Sequence, residues 1–292
     1  MCGHATLALG RFLVDTHDLN VFPARKSLPY TAESGMTTIR LHAPCGVVRV
    51  SVPTTADGKQ ADGTRPARFV SVPSFVSRRD LDLWIAHEDT WDTMKIEQPD
   101  RNGGFTIPIS VAYGGAFYAI VSARHLALDL NLSELEDLQE AARSIAGKLR
   151  VDNQSRYKGE LFQHPTETDI GFLYGVIITD KSNDEITSGQ ETGLCFFAGS
   201  QIDRSPTGSG VCARVALAVE VGALKMNEWQ TYESLWSKRS EGDGFRGRAV
   251  ERLENGSVLV EVEGRAFYTG ASSFVTPEPS DILGKGFMLS KP

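Results

Sequence analysis

Two short segments of this sequence pair a side chain that can handle a proton with the small residues that often open a helix. The first is Cys2-Gly3-His4-Ala5, and the second is Asp203-Arg204-Ser205-Pro206-Thr207-Gly208-Ser209-Gly210. Each precedes an apolar run rich in Ala, Leu and Val, which is typical of a buried helix. The start of a helix offers free N–H groups to an anion. Two such helix starts facing each other would hold a carboxylate between them.

Cys2 is the stronger candidate for acid–base chemistry, because the aligned dipoles at a helix start favour the thiolate form of a cysteine. Removal of the α-proton of an amino acid spreads negative charge onto its carboxylate, and backbone N–H groups can neutralise that charge. The same residues also have structural interpretations. Thr207 could be an N-cap, Asp203 could complement a helix dipole, and His4 could be a surface residue.

The composition is that of an ordinary soluble protein whose 292 residues suffice for two domains of about 100–200 residues each. Apolar residues make up 41% of the chain, and no apolar run approaches the roughly 20 residues that span a bilayer, so we expect no membrane segment. The net charge of −7 and the scattered Lys and Arg residues argue against a nucleic-acid partner.

The cysteines stand at irregular spacings, at Cys2, Cys45, Cys195 and Cys212. They form no C-x-x-C pair and accompany no zinc-type His spacing, so we expect no metal site, a reducing compartment and a cytoplasmic location. Apolar neighbours predict buried, structural roles for all of them except Cys2. No phosphate-loop, dinucleotide or H-E-x-x-H motif is present, and we expect no cofactor.

Hydrophobic periodicity predicts the elements that must position the two segments, namely buried helices fed by short strands. We expect helices at 6–14, at 132–149 with Ser133 as N-cap, and at 211–221 before Gly222. We expect strands at 37–41 and 47–52 around a Pro44-Cys45-Gly46 turn, at 69–72, within 105–121 on both sides of Tyr113-Gly114-Gly115, and at 170–179, 193–199, 256–263 and 265–268. The polar stretch 54–66 predicts an exposed loop.

The two segments resemble the signature motifs of the proline racemase family. Further matches to that family run along the chain, at residues 72–76, 113–119, 164–165 and 266–270. The resemblance implies an α/β (α+β) fold of the diaminopimelate epimerase-like type, with two pseudo-symmetric domains and the active site in the cleft between them. Each domain would be a curved, mostly antiparallel sheet or half-barrel around a central helix. We expect a first domain at 1–108 with 276–292 and a second at 109–275.

Within that family, racemases and hydroxyproline epimerases use two cysteines, one on each face of the substrate. This chain has Cys2 at the first position and Thr207 at the second, a pair that resembles the trans-3-hydroxy-L-proline dehydratases. Those enzymes eliminate water to give a pyrroline carboxylate. A neutral Thr hydroxyl is too weak an acid and base to exchange protons with a cysteine in a two-base racemisation, which agrees with that resemblance.

The resemblance also implies how a proline-like substrate would be held. Cys2 and Thr207 would be the catalytic pair, while His4 and Asp203 would contact the ring nitrogen. The carboxylate would be bound by N–H groups, those of Gly3, His4, Gly208 and Ser209. An ammonium beside Asp203 makes physical sense, since a charge in a dry site needs a partner.

Two alternatives stay open. One is an epimerase or racemase of proline-like amino acids, which would need a second base in place of Thr207. The other is an inactive, shortened family member that only binds proline-like ligands. Family members carry a substantial segment ahead of the first motif, so we expect the first domain of this chain to be incomplete at its N-terminus. The resemblance further implies a homodimer.

Overall fold

The structure is a computed structural model that describes residues 1–181, 185, 189–240, 244–273, 275, 278, 280 and 281, and more of these residues lie in strands than in helices. The strands are β1 Tyr30–Thr31, β2 Met36–Ala43, β3 Gly46–Pro53, β4 Ala67–Val70, β5 Phe75–Ala86, β6 Gly104–Tyr113, β7 Phe117–Ser122, β8 Leu173–Thr179, β9 Gln190–Phe197, β10 Gln201–Asp203, β11 Gln230–Glu233, β12 Phe245–Arg252 and β13 Val258–Gly264. The helices are α1 Gly3–Asp15, α2 Asp92–Lys95, α3 Leu135–Ser155 and α4 Gly208–Glu220.

The strands pair in one continuous path, in the order β1-β2-β3-β4-β13-β12-β11-β9-β8-β7-β6-β5, with β10 beside β9. The pairs β7–β8 and β9–β11 are parallel, whereas the other pairs within the described residues are antiparallel. The path crosses from β4 to β13 without a break. The domain limits at 108 and 275 stay a prediction, and most of segment 276–292 lies outside the described residues.

Helix α1 packs on β2, β3 and β4. Its buried face includes Leu7 and Val14, and a side chain at Gly10 would meet Val50 at 2.6 Å. The glycine therefore lets the helix lie close against β3. The backbone N–H and the hydroxyl of Thr6 both donate to the carbonyl oxygen of Cys2, at 2.9 and 2.8 Å, and these hydrogen bonds close the first turn of α1.

Helix α4 is buried along nearly its whole length and packs on β5, β6, β12 and β13. Its Ala, Val and Leu side chains meet the apolar faces of these strands, and Gly222 follows its end with φ +76°, as predicted. The one charged side chain in its interior, Arg214, pairs with Glu191 of β9 at 2.5 Å and lies 4.6 Å from the Tyr232 ring centre. Both partners of this ion pair are almost completely buried.

Two of the predicted elements are wrong in detail. Helix α3 begins after Glu134 rather than Ser133, because the Ser133 hydroxyl accepts a bond from the Asp129 backbone instead of capping the helix. Segment 265–268 is not a strand. It leaves the sheet and crosses α1, where the Ala266 carbonyl accepts from Arg11 and the Tyr268 hydroxyl donates to Asp15 at 2.8 Å.

The remaining predicted strands and helices correspond to observed elements. The hairpin around 44–46 is the antiparallel β2–β3 pair, and Tyr113-Gly114-Gly115 joins β6 to β7. Stretch 54–66 is irregular apart from one bridge between Thr54 and Ala61. None of the helices in the described part of the chain is long and apolar enough to cross a membrane.

Candidate active site

The starts of α1 and α4 touch each other at two glycines. A Cβ added to Gly3 would lie 2.5 Å from the Cα of Gly208, and one added to Gly208 would lie 2.6 Å from the Cα of Gly3. Only glycine allows such an approach of two backbones. The first turns of both helices, which carry N–H groups without a partner inside their helix, therefore meet here, with Cys2 and Thr207 immediately before them in the chain.

Cys2 is the N-cap residue of α1 and has an extended backbone, with φ −102° and ψ 110°. Its side chain makes no capping hydrogen bond and is exposed. The thiol is therefore open to a ligand at the contact between the two helices. The other three cysteines are buried, as predicted.

Thr207 precedes α4 in a strained conformation. Its φ of +61° lies in the left-handed region, which a β-branched residue rarely enters and which costs about 1–3 kcal/mol. The side chain does not cap the helix. Its hydroxyl donates instead to Asp203 Oδ2 at 2.8 Å, so Thr207 is the N-cap residue of α4 by position but not through its side chain.

Asp203 is held in place by the loop that carries it. Its Oδ1 accepts from the backbone N–H of Ser205 at 2.8 Å, and the Ser205 hydroxyl in turn accepts from the backbone N–H of Thr207 at 3.1 Å. These bonds fix the carboxylate and the Thr207 hydroxyl relative to each other. They also compensate part of the strain at Thr207.

Ser209, in the first turn of α4, points its side chain into the protein interior. Its hydroxyl lies 2.7 Å from the Tyr118 hydroxyl, and both residues are buried. Burial raises the pKa of Tyr118 well above its ordinary value, so this phenol stays neutral. The bond anchors the first turn of α4 to β7.

His4 lies at the edge of this arrangement. Its ring is exposed and packs edge-on against Phe245, with the ring centres 5.0 Å apart. It lines a cavity of about 440 Å³ together with Phe197, Ile202, Asp203, Arg204, Ser205, Pro206, Trp236, Ser237, Ser240, Arg265 and Phe267. Of the seven predicted site residues, His4 and Asp203 line this cavity, while Cys2, Gly3, Thr207, Gly208 and Ser209 lie at the adjoining contact between the starts of α1 and α4.

Three aromatic residues at the site were not predicted from the sequence. Tyr174 of β8 stacks on Phe197 with ring centres 5.7 Å apart, and it lies edge-on to Tyr118 at 5.6 Å. Burial is the main cause that raises the pKa of Tyr174. Tyr118 lies in the matched segment 113–119, whereas no local motif marks Tyr174 and Phe197, which the pairing of β7, β8 and β9 brings beside it.

Cys195 lies beneath Thr207 in β9, opposite Asp203 of β10. Burial raises the pKa of Cys195 to about 12, although a hydrogen bond with Thr207 opposes this shift. The Cys195 thiol is therefore neutral and enclosed, unlike that of Cys2. Across the residues that the structure describes, no group of three His, Cys, Asp or Glu side chains could hold a metal ion.

Comparison with known proteins places this geometry in context. A family model described as proline racemase matches residues 1–288. The human trans-3-hydroxy-L-proline dehydratase is 38% identical over 292 residues, which cover 99% of this chain and 71% of that protein. A dehydratase of the same name from Bacillus thuringiensis is 27% identical, over 99% of this chain and 73% of its own length.

Two solved structures share the fold. A hydroxyproline epimerase from Agrobacterium vitis, with bound trans-4-hydroxy-L-proline, superposes with a TM-score of 0.71 at 22% identity, covering 99% of this chain and 70% of that one. A probable proline racemase from Agrobacterium radiobacter, with bound carbonate, gives a TM-score of 0.70 at 20% identity, over 99% and 72% of the two chains. The predicted α+β fold class is confirmed.

Proposed function

This chain belongs to the proline racemase family, and on that basis we propose that it dehydrates trans-3-hydroxy-L-proline to pyrroline-2-carboxylate without a cofactor. The observation that carries the proposal is the unequal pair around the Gly3–Gly208 contact. Cys2 offers an exposed thiol on one side, whereas the Thr207 hydroxyl on the other side is bound to Asp203. Such a site has one base rather than two. Relatives that are 38% identical and named as dehydratases support the same reaction.

The substrate carboxylate would lie between the two helix starts. Backbone N–H groups of Gly3, His4, Gly208 and Ser209 would donate to it, and the positive ends of both helix dipoles would stabilise its charge. The ring ammonium would then face Asp203, whose carboxylate is fixed by Ser205 and Thr207. His4 lines the same cavity and would complete this end of the site.

Elimination would begin with removal of the α-proton by the Cys2 thiolate. The electron pair of the broken C–H bond forms a double bond between Cα and ring carbon 3, and the C3–O bond breaks. The hydroxyl leaves as water, so the proton gained at Cys2 balances the one that the departing oxygen needs. The enamine product then tautomerises to the pyrroline.

The stereochemistry of the substrate fits a one-sided site. In trans-3-hydroxy-L-proline the hydroxyl is trans to the carboxylate and therefore lies on the same ring face as the α-hydrogen. Both bonds that break thus face Cys2. Thr207 would lie on the opposite face, where it fixes Asp203 and orients the ring, and where no base is required.

The direct test is incubation of the protein with trans-3-hydroxy-L-proline, followed by NMR detection of pyrroline-2-carboxylate. The proposal predicts this product from the wild-type chain and at least about 100-fold slower formation by Cys2→Ser at matched concentration. A parallel incubation with L-proline, analysed by chiral chromatography, tests the racemase alternative. D-Proline without any pyrroline product would overturn the dehydratase assignment in favour of a racemase. A wild-type chain with neither activity would support the ligand-binding alternative.

A further inference from the structure

Trp236 is an aromatic residue of the site cavity that the mechanism above does not use. It follows β11 and lines the cavity of about 440 Å³ together with His4 and Asp203, the two residues proposed to meet the substrate nitrogen. The residue is 51% exposed. Among the described residues, it stacks on no other ring and has no guanidinium over its face. The indole is therefore open to a small molecule that enters this cavity.

Hydrogen bonds tie the turn that carries Trp236 to the loop that carries Asp203. The hydroxyl of the buried Ser234 donates to the carbonyl oxygen of Arg204, the residue after Asp203. The same hydroxyl accepts from the backbone N–H groups of Trp236 at 3.2 Å and of Ser237 at 3.1 Å. The Ser237 hydroxyl accepts in turn from the backbone N–H of Ser234 at 2.8 Å. The backbone of Trp236 is therefore held in a fixed relation to the loop of Asp203.

The chemistry of an indole suits the part of the substrate that would lie here. A pyrrolidinium ring combines apolar CH₂ groups with a positive nitrogen, and the face of an aromatic ring attracts both. Phe197 and Phe267 line the same cavity. A tryptophan face attracts a cation more strongly than a phenylalanine face does, so we expect Trp236 to make the dominant contact.

Building on the proposed function, we propose that Trp236 is a specificity-determining residue whose indole face packs against the pyrrolidinium ring of the substrate. When the ring nitrogen meets Asp203, the ring carbons beside that nitrogen carry part of its positive charge and are drawn to the indole. This contact needs a ring. Trp236 would therefore favour a cyclic secondary amine over an open-chain amino acid that has the same carboxylate and the same class of ammonium.

The test compares the binding of two ligands that cannot lose water. L-Proline has the ring, whereas N-methylglycine keeps the carboxylate and the secondary ammonium without it. Isothermal titration calorimetry should show that the wild-type chain binds L-proline more tightly than N-methylglycine. Trp236→Ala should lower this preference about 10-fold, and Trp236→Phe, which keeps an aromatic face, should retain part of it.

Tryptophan fluorescence gives a second readout. L-Proline should change the emission of the wild-type chain, and this change should vanish in Trp236→Phe. Trp229→Phe is the matched control, because Trp229 carries the guanidinium groups of Arg246 and Arg248 over its ring, at 4.8 and 4.4 Å, and is not among the described residues that line the site cavity. It should leave both the fluorescence change and the binding preference at the wild-type level.

The inference is overturned if Trp236→Ala keeps the wild-type preference for L-proline. It is also overturned if the binding of both ligands falls by the same factor, because Trp236 would then only support the fold of the site. Failure of the wild-type chain to bind L-proline, or a fluorescence change that persists in Trp236→Phe, overturns it as well. The proposed function fails separately, if a chain that binds L-proline against Trp236 forms no pyrroline-2-carboxylate from trans-3-hydroxy-L-proline.

Discussion

Replacing Gly208 with alanine should push the two helix starts apart. The new Cβ would lie 2.6 Å from the Cα of Gly3, whereas nonbonded carbon atoms rest at about 3.5–4.0 Å. Both sides of this contact are backbone, so no side-chain rotation can relieve it. The first turns of α1 and α4 must therefore separate by about 1 Å.

Two effects set the size of the change. Overpacking of this kind costs about 1–3 kcal/mol, and the better helix propensity of alanine returns up to about 1 kcal/mol. The effect on catalysis is larger, because a displacement of about 1 Å in a binding group can cost about 100-fold in rate. We expect kcat/KM for trans-3-hydroxy-L-proline to fall about 100-fold while the chain unfolds only a few degrees earlier.

Gly147→Ala is the matched control, because Gly147 lies within α3 and a Cβ there would meet no atom within 4 Å. It should raise the free energy of unfolding by about 1 kcal/mol and leave kcat/KM unchanged. Steady-state kinetics and thermal unfolding of both variants test the argument. Wild-type kcat/KM in Gly208→Ala would refute the idea that the glycine contact positions the carboxylate-binding N–H groups.

Three further predictions concern the thiols and Thr207. Cys2→Ser should lower kcat by about 10²–10⁴-fold with little change in the thermal midpoint, because the side chain is exposed; near-normal turnover would contradict its role as base. Thr207→Cys should add a second base and convert L-proline into D-proline, which chiral chromatography detects. If no D-proline forms, residues other than Thr207 must also separate the two reactions. Burial raises the pKa of Cys195 and of Cys212 to about 12, above the ordinary value of 9.0. The folded chain therefore keeps these protons more tightly than the unfolded chain, so its free energy of unfolding is highest below pH 9 and falls as pH rises toward 12. Urea titrations across this pH range should show the decline. A thiol reagent should modify only Cys2 in the native chain, and rapid labelling of a second cysteine would contradict the burial of the others.

The sequence was sufficient to predict the features of the site that depend on local pattern. Small residues followed by an apolar run mark the starts of α1 and α4, and Gly222 marks the end of α4. The hairpin of β2 and β3 follows from a turn between two strand-forming runs. The similarity of the two segments suggested that their helix starts face each other, and the contact between Gly3 and Gly208 is consistent with that arrangement.

What could not be predicted depends on distant pairing or on backbone strain. Thr207 has the residue type and position of an N-cap, and only its φ of +61° shows that the hydroxyl turns to Asp203. Segment 265–268 has a strand-like composition, yet contacts with Arg11 and Asp15 draw it across α1. Tyr174 packs against Tyr118 through the parallel pairing of β7 and β8, which no nearby residue signals.

The buried pair of Arg214 and Glu191 bears on where α4 stands along its own axis. Apolar packing is nondirectional, so the Ala, Val and Leu side chains of α4 would tolerate a slide along the sheet. A charged pair enclosed on both sides does not, because any slide would leave an unpaired charge in the interior. Arg214 lies six residues beyond Gly208, about 9 Å along the helix, so the ion pair fixes the position of the first turn of α4 along the helix axis. In the proposed function, the ion pair would thereby also fix where the substrate carboxylate lies against that turn.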